Sequence, residues 1–291
     1  MNDVLPQHLQ MNEFIRAIML DIEMRRIAVH QYVVDAFTDK VFAGNQAAIC
    51  VVDEWPDAAL MQSITIENNF SETAFVKPLD DGRYYLRWFT PATEIDFCGH
   101  ATFAAGYVVL NHYAKEAKQV TFATNEVGEL VVSRAGDRYE LDFPAYDLAR
   151  VPVTDAMEEA LGARPIEAWM ARDLLCVMDS ASTVRELQPD QQAIEALDGL
   201  LVHVTAAGEE GSGYDCVSRS FAPKLAIPED PVCGSGHCHI LPYWAERLGR
   251  QDLVAYQASR RGGTLWGHVA GDGRCVLAGK AALFSVAELM I

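Results

Sequence analysis

Two short stretches hold most of the residues whose types and spacing suit catalysis. The first reads Asp96-Phe97-Cys98-Gly99-His100-Ala101-Thr102. The second reads Glu229-Asp230-Pro231-Val232-Cys233-Gly234-Ser235-Gly236-His237. Each sets a thiol, a glycine and a polar side chain where an irregular loop gives way to a helical pattern. A helix start presents unpaired backbone N–H groups and the positive end of the macrodipole, so it suits an anion. Gly99, Gly234 and Gly236 would let a ligand approach that backbone closely. Each stretch also follows a Phe-x-Pro segment, Phe89-Thr90-Pro91 and Phe221-Ala222-Pro223. The chain therefore repeats itself, and the repeat predicts one site between two similar halves.

Several side chains near these stretches admit two readings. Glu72, in Ser71-Glu72-Thr73, opens an apolar strand. On a surface it is a solvated strand end; in a cleft that raises its pKa toward neutrality it can take a proton from carbon and return it. His100 and Asp230 either orient polar groups of a substrate, or are a buried imidazole and a helix cap. Thiols at helix starts have lowered pKa values, so Cys98 and Cys233 facing one another would make a two-base racemase. As small buried residues they would only pack. Ser235, with the N–H groups of Gly234 and Gly236, suits a substrate carboxylate or simply caps its helix.

Other signals carry no chemistry. His237, Cys238 and His239 crowd together, yet 237 and 239 point to different sides of a helix, and Cys233 with His237 gives only two ligands on one face. No metal site is expected. The Gly-Ser-Gly triplets at 211–213 and 234–236 lack the spacing of a phosphate loop or a nucleophile elbow, and no dinucleotide fingerprint is present.

Composition narrows the function further. The 291 residues are 50% hydrophobic and 22% charged, an ordinary balance for a protein with ample core. The formal net charge is −18 and no run of Lys or Arg exceeds two, which argues against nucleic acid as a partner. The seven cysteines show no disulfide framework and no Cys-x-x-Cys pair. No secretory signal or membrane-spanning stretch is visible. The expected setting is a reducing cytoplasm, without membrane attachment.

The elements that must position these residues follow from periodicity. Phe14, Ile15, Ile18, Met19 and Ile22 recur at helical spacing, so residues 1–26 are expected to be a helical extension. Strands are expected over 31–37, 47–52, 72–77 and 83–89, with a helix from Pro56 to about 67 and a hairpin at Asp80-Asp81-Gly82. The run from His100 to Ala114 is apolar all round, which predicts a helix wrapped on every side by a curved sheet. Strands over 120–123, 129–134 and 138–143 complete that set. A short helix over 155–161 precedes a second series: strand 174–178, helix 189–197, strands 200–205 and 214–220, then the second Cys-Gly helix. Pro242 should bend that helix or shift its start. Strands over 254–260, 264–270, 274–278 and 281–289 close the chain. The domain reading is 27–128 for the first half, 129–280 for the second, with 281–291 free to complete the first.

Four markers in this order resemble the phenazine-biosynthesis PhzF-like isomerase family, within the wider diaminopimelate-epimerase fold. They are Asp35-Ala36-Phe37-Thr38 with Gly44-Asn45, Ser71-Glu72-Thr73-Ala74-Phe75, Cys98-Gly99-His100-Ala101-Thr102, and Glu229-Asp230-Pro231-Val232-Cys233-Gly234-Ser235-Gly236. The resemblance covers about 27 to the end. It implies an α+β fold of two pseudo-symmetric halves, each a curved, mostly antiparallel sheet around a central helix. It further implies an active site in the cleft, no cofactor and a homodimer. The family's acid/base carboxylate falls on Glu72, and its substrate-orienting His and Asp on His100 and Asp230. Asn45 joins the expected substrate contacts. The epimerase branch instead uses cysteines at the positions of Cys98 and Cys233, but its loop carries a Glu-Arg pair, and here no Arg lies between Phe221 and Cys233. Both chemistries, and a non-catalytic binder on the same fold, stay open at this stage. A fold alone does not name a substrate; the expected one is a small carboxylate-bearing metabolite.

Overall fold

The structure, a computed structural model, describes residues 28–291. The amphipathic helix expected over 14–22 lies outside the described residues. Strands β1 (Ala28–Ala36) and β2 (Asn45–Val52) form a hairpin. Its turn needs glycine at 44: φ is +65°, and a Cβ there would meet the Ala36 carbonyl oxygen at 2.1 Å. Helix α1 (Ala58–Asn68) starts where the Asp57 carboxylate accepts from Leu60 N–H at 2.7 Å. It returns the chain so that β3 (Thr73–Pro78) lies parallel to β2. Strand β4 (Tyr84–Phe89) and the short β5 (Glu94–Ile95) lead to helix α2 (Gly99–Val108), which a π-helical turn extends to Tyr113. Strands β6 (Gln119–Ala123), β7 (Glu129–Ala135) and β8 (Arg138–Pro144) finish this half.

The second half repeats that order. Strands β9 (Ala149–Val151), β10 (Glu167–Met170) and β11 (Leu174–Val177) flank helix α3 (Asp155–Leu161). Helices α4 (Ala181–Glu186) and α5 (Gln191–Glu195) lead to β12 (Val202–Ala207), β13 (Cys216–Ala222) and β14 (Ile227–Asp230). Helix α6 (Gly234–Leu248) follows, then β15 (Asp252–Gln257), β16 (Gly263–Val269) and β17 (Arg274–Gly279). Strand β18 (Ala281–Met290) pairs with β1, so it completes the first half. Short β9, β10, β14 and α4 had no clear sequence signal.

Strand pairing makes the repeat explicit. One half runs β18-β1-β2-β3-β4-β6-β7-β8 and the other β9-β10-β11-β12-β13-β15-β16-β17. The parallel pairs β2–β3 and β4–β6 have counterparts in β11–β12 and β13–β15. The halves join where β8 pairs with β17, Leu141 opposite Leu277. Each half also takes its outer strand from the chain that has just left the other. The ladder does not break at 128, because β7 pairs with β6 and β8 with β7. We therefore set the division between halves near Pro144.

Each sheet wraps its helix for a simple reason. Ala101, Phe103, Ala104, Ala105 and Val108 of α2 are fully buried, so every face of the helix needs cover. Helix and sheet come very close at Gly106, where a Cβ would lie 2.4 Å from Val132 of β7. Helix α6 starts at Gly234 and carries Pro242 in its interior. Proline lacks the N–H that would bond the Cys238 carbonyl. That carbonyl instead accepts from Tyr146 N–H at 3.1 Å, which ties the link between the halves to α6. No helix among the described residues is long and apolar enough to cross a membrane.

Candidate active site

The Cys-Gly segments deliver their side chains to the ends of α2 and α6 that begin each helix, and the two helices touch. Glu72 ends the loop into β3, and His100 is the second residue of α2. His100 Nε2 lies 3.2 Å from Glu72 Oε2, with the residues 7% and 8% exposed. The contact is a charge pair off the angle a hydrogen bond needs, and both atoms lack a hydrogen-bond partner among the described residues. His100 Nδ1 faces Cys98 Sγ at 3.5 Å. Burial works to raise the Glu72 pKa, but the His100 charge outweighs it, with help from Ser71, and the value is lowered. Burial works against charge on His100 too, yet Cys98 and Glu72 push its pKa well above the ordinary value. Both directions favour a carboxylate facing an imidazolium. Sequence reasoning expected the Glu72 pKa to be raised; the imidazolium reverses that sign.

Asp230 reaches the same place from the second half. Its Oδ1 accepts from Asn45 Nδ2 at 2.8 Å and from Val232 N–H at 3.1 Å. Asn45 Nδ2 also donates to the Val232 carbonyl at 3.1 Å, leaving buried Asn45 Oδ1 unpaired. Burial raises the Asp230 pKa; the charge of His100 opposes that and that of Glu72 adds to it. Fully buried Gln257 braces the loop. Its Nε2 donates to the Asp230 carbonyl at 2.6 Å, and its Oε1 accepts from Cys233 N–H at 2.8 Å. Glu72 Oε2, His100 Nε2 and Asn45 Oδ1 are all buried without a hydrogen-bond partner among the described residues, and the first two face one another at 3.2 Å. Such atoms are costly unless a ligand meets them.

The thiols behave differently from the sequence expectation. Cys98 and Cys233 are buried free cysteines. Burial raises the Cys98 pKa, and Glu72 adds to the rise. Burial and the Asp230 charge push Cys233 well above its ordinary value. Desolvation outweighs the helix start, so both rest as thiols. Cys233 Sγ instead accepts from Gly236 N–H at 3.3 Å. The bare Gly236 Cα leaves room for His203, whose Cε1 would lie 2.7 Å from a Cβ. Thus Gly236 serves the packing of His203, and its N–H is turned to sulfur. Gly234 and Gly99 are roomier, with nearest approaches of 3.8 Å and 3.4 Å.

Ser235 meets a residue that sequence reasoning missed. Arg172, in the β10–β11 loop, donates from Nη2 to Ser235 Oγ at 3.0 Å. Its Nε and Nη2 also clasp fully buried Asp173 at 3.0 and 2.6 Å. Asp173 further accepts from Leu201 N–H and pairs with His203 Nε2 at 3.0 Å. Burial would raise the Asp173 pKa, and the hydrogen bonds of His203 and Arg172 hold it well below the usual carboxylate range. Burial lowers His239 to about 4, so it is neutral. Its Nδ1–H donates to the Ser235 carbonyl at 3.0 Å and its Nε2 accepts from Asp173 N–H at 3.3 Å.

Among the described residues, two clusters have donor atoms close enough to ligate a metal: Glu72, Cys98 and His100, and Asp173, His203 and His239. In the second, Arg172 already supplies the positive charge on Asp173, and the His239 Nε2 lone pair is taken by a backbone N–H. It is a self-satisfied anchor. His237 turns aside, Nδ1 to the Cys233 carbonyl at 2.7 Å and Nε2 to Ser218 at 3.3 Å. His237, Cys238 and His239 therefore form no joint site.

Beside Ser235 opens a cavity of about 510 Å³. Phe97, Phe143 and Tyr146 form aromatic walls, with Arg172 and Ser235 at one side. Among known families, the model for phenazine biosynthesis-like proteins matches residues 34–287. The chain belongs to that family. An uncharacterised isomerase of Pseudomonas aeruginosa is 44% identical over 251 residues, spanning 86% of this chain and 95% of that protein. The crystal structure of a phenazine biosynthesis PhzF-family protein from Enterococcus faecalis superposes with TM-score 0.87 at 44% identity, covering 91% of this chain and 100% of that one. A predicted epimerase from Pseudomonas aeruginosa, 22% identical with TM-score 0.66 over 90% of this chain and 99% of that one, shares the fold. The architecture is thus the α+β, diaminopimelate epimerase-like fold of the family.

Proposed function

We propose that this protein is an isomerase that moves a proton between carbons of a small, carboxylate-bearing metabolite, with Glu72 as the acid/base. The observation that carries this reading is the buried Glu72–His100 pair, whose facing atoms lie 3.2 Å apart and lack hydrogen-bond partners. A carboxylate kept ionised can accept a proton from substrate carbon and, once neutral, return it elsewhere. His100 holds that negative charge in place and gives a hydrogen bond to a substrate oxygen. Asp230 and Asn45 orient a second polar group. The named isomerase among the relatives supports the reaction class.

The same reading takes the enzyme as a cytoplasmic homodimer that needs no cofactor. Epimerisation by two thiols fits less well, since burial holds Cys98 and Cys233 protonated. Incubating small unsaturated, amino and hydroxy acids with the protein in D₂O tests the reading. Carbon-bound deuterium with a shifted double bond is the expected product; label with inverted configuration and no bond shift would favour the thiols. A protein that binds an acid and never labels it would refute both.

A further inference from the structure

The aromatic cavity beside Ser235 has one arginine whose position is fixed from behind. Asp173, 0% exposed, clasps Nε and Nη2 of Arg172, and His203 and Leu201 N–H hold Asp173 in turn. The Arg172 side chain stands 37% exposed at the cavity wall. Its Nη1 makes no hydrogen bond among the described residues, whereas Nε and Nη2 are both engaged. Tyr146 lies beneath, with the Arg172 guanidinium 5.2 Å from its ring centroid. Tyr146 in turn stacks on His239 at 3.9 Å and is tied to the Cys238 carbonyl that Pro242 leaves free. Long exposed arginines usually lose much side-chain freedom on binding. This one is held in advance on two sides.

We propose that Arg172 and Ser235 form the carboxylate-recognition subsite, and that the ligand they select is an acid whose apolar body lies against Phe97, Phe143 and Tyr146. Arg172 Nη1 keeps an N–H for one charge-assisted hydrogen bond to a ligand carboxylate, its fork of Nε and Nη2 being held by Asp173. Ser235 Oγ accepts from Arg172, so its own proton is available to a ligand oxygen. The start of α6 adds partial positive charge to the same spot. Cys233 Sγ lies 3.5 Å from Ser235 Oγ, which joins this subsite to the loop that also carries Asp230. The second half therefore holds the acid while the first supplies the proton carrier. The Arg that the 221–233 loop lacks is delivered from the β10–β11 loop.

This inference rests on the isomerase reading for the ligand's being a substrate, but its test needs no turnover. Sodium benzoate and neutral benzamide, titrated into the full-length protein by calorimetry, serve as probes. A charge-assisted contact predicts that the wild type prefers benzoate by roughly 10- to 100-fold. Arg172→Gln should abolish the preference, and Arg172→Lys, whose single ammonium cannot both clasp Asp173 and reach the ligand as the guanidinium does, should keep only part of it. Arg274→Gln, on another wall of the cavity, should leave it intact. Equal binding of both probes by the wild type, or an undiminished preference in Arg172→Gln, overturns the proposal. If Arg172→Gln does not fold, a Lys variant that binds benzoate as the wild type does overturns it equally. Because the readout is binding of a non-reacting acid, failure of recognition and failure of proton transfer are separable.

Discussion

Replacing Glu72 by Gln keeps shape and removes the transferable proton. At 3.2 Å the charge attraction between Glu72 and His100 is about 5 kcal/mol at an effective dielectric near 20. Desolvating the carboxylate offsets most of that, since it costs several kcal/mol per buried ion. When the carboxylate goes, His100 sheds its proton rather than stay charged and unpaired. What remains is the cost of a poorly paired buried polar group, about 1–3 kcal/mol, or about 2–12 °C in Tm. The catalytic loss is larger: general acid–base groups supply roughly 100- to 10,000-fold, or about 2.7–5.4 kcal/mol of barrier. Deuterium incorporation into the best acid of the screen should therefore fall at least 100-fold in a protein that still melts cooperatively. The His100 ring should titrate at lower pH by NMR in Glu72→Gln, because one of the two groups raising its pKa is gone. Exchange within about threefold of wild type would refute the role, since it is far below the acid–base range.

The double variant Cys98→Ser, Cys233→Ser should keep deuterium exchange within about tenfold of wild type, a barrier change under 1.36 kcal/mol; a dead variant would return the chemistry to the thiols. The Glu72 pKa is depressed from 4.5, so the stability it adds is present above pH 4.5 and lost as pH falls through the lower folded value; His100 is raised from 6.5, so its share is present below pH 6.5 and lost as pH rises through the higher folded value. The Tm gap between wild type and Glu72→Gln should accordingly be widest from about pH 4.5 to 6.5 and close on both sides; a gap that grows steadily with pH would contradict the ion pair. Gly106→Ala puts a Cβ 2.4 Å from Val132 and should cost about 1–3 kcal/mol in urea denaturation, with Val132→Ala restoring part of it; additive losses would mean the helix simply shifts.

The sequence made some of this site readable because the relevant residues are contiguous. Glu72, Cys98, His100, Asp230 and Ser235 sit in short motifs, and the Phe-x-Pro repeat placed those motifs at equivalent helix starts. The buried α2 announced itself by its unbroken apolar run. What stayed hidden depends on pairing between distant strands. Arg172 and Ser235 are 63 residues apart, and nothing local links them. The available signal was an Arg-Asp pair set against the wholly buried strand Leu174–Val177, which reads as a charged pair at the mouth of a core strand. Gln257, at the end of β15, gave no such signal. The two wrong pKa directions differ in origin: burial, invisible in one dimension, lifts the thiols above what a helix start would give, whereas Glu72 is lowered by the charge of His100, brought to it by the fold.

The pseudo-symmetry explains why one chain carries both an acid/base pair and a cysteine pair. Cys98-Gly99-His100 and Cys233-Gly234-Ser235 occupy matching positions, each cysteine at the N-cap of its helix. The halves have diverged at the second helical residue. In α2 that residue is an imidazole paired with Glu72; in α6 it is a hydroxyl paired with Arg172, and the residue just before β12 is Leu201 where the one before β3 is Glu72. On the proposed reading, one half supplies the proton carrier, and the other a fixed positive charge. A racemase needs equal groups on both faces of a carbon; moving a proton along a substrate needs a single base and an anchor that holds the rest still. The difference between the two helix starts, imidazole facing Glu72 in one and hydroxyl bonded to Arg172 in the other, is what the proposed proton shift would require.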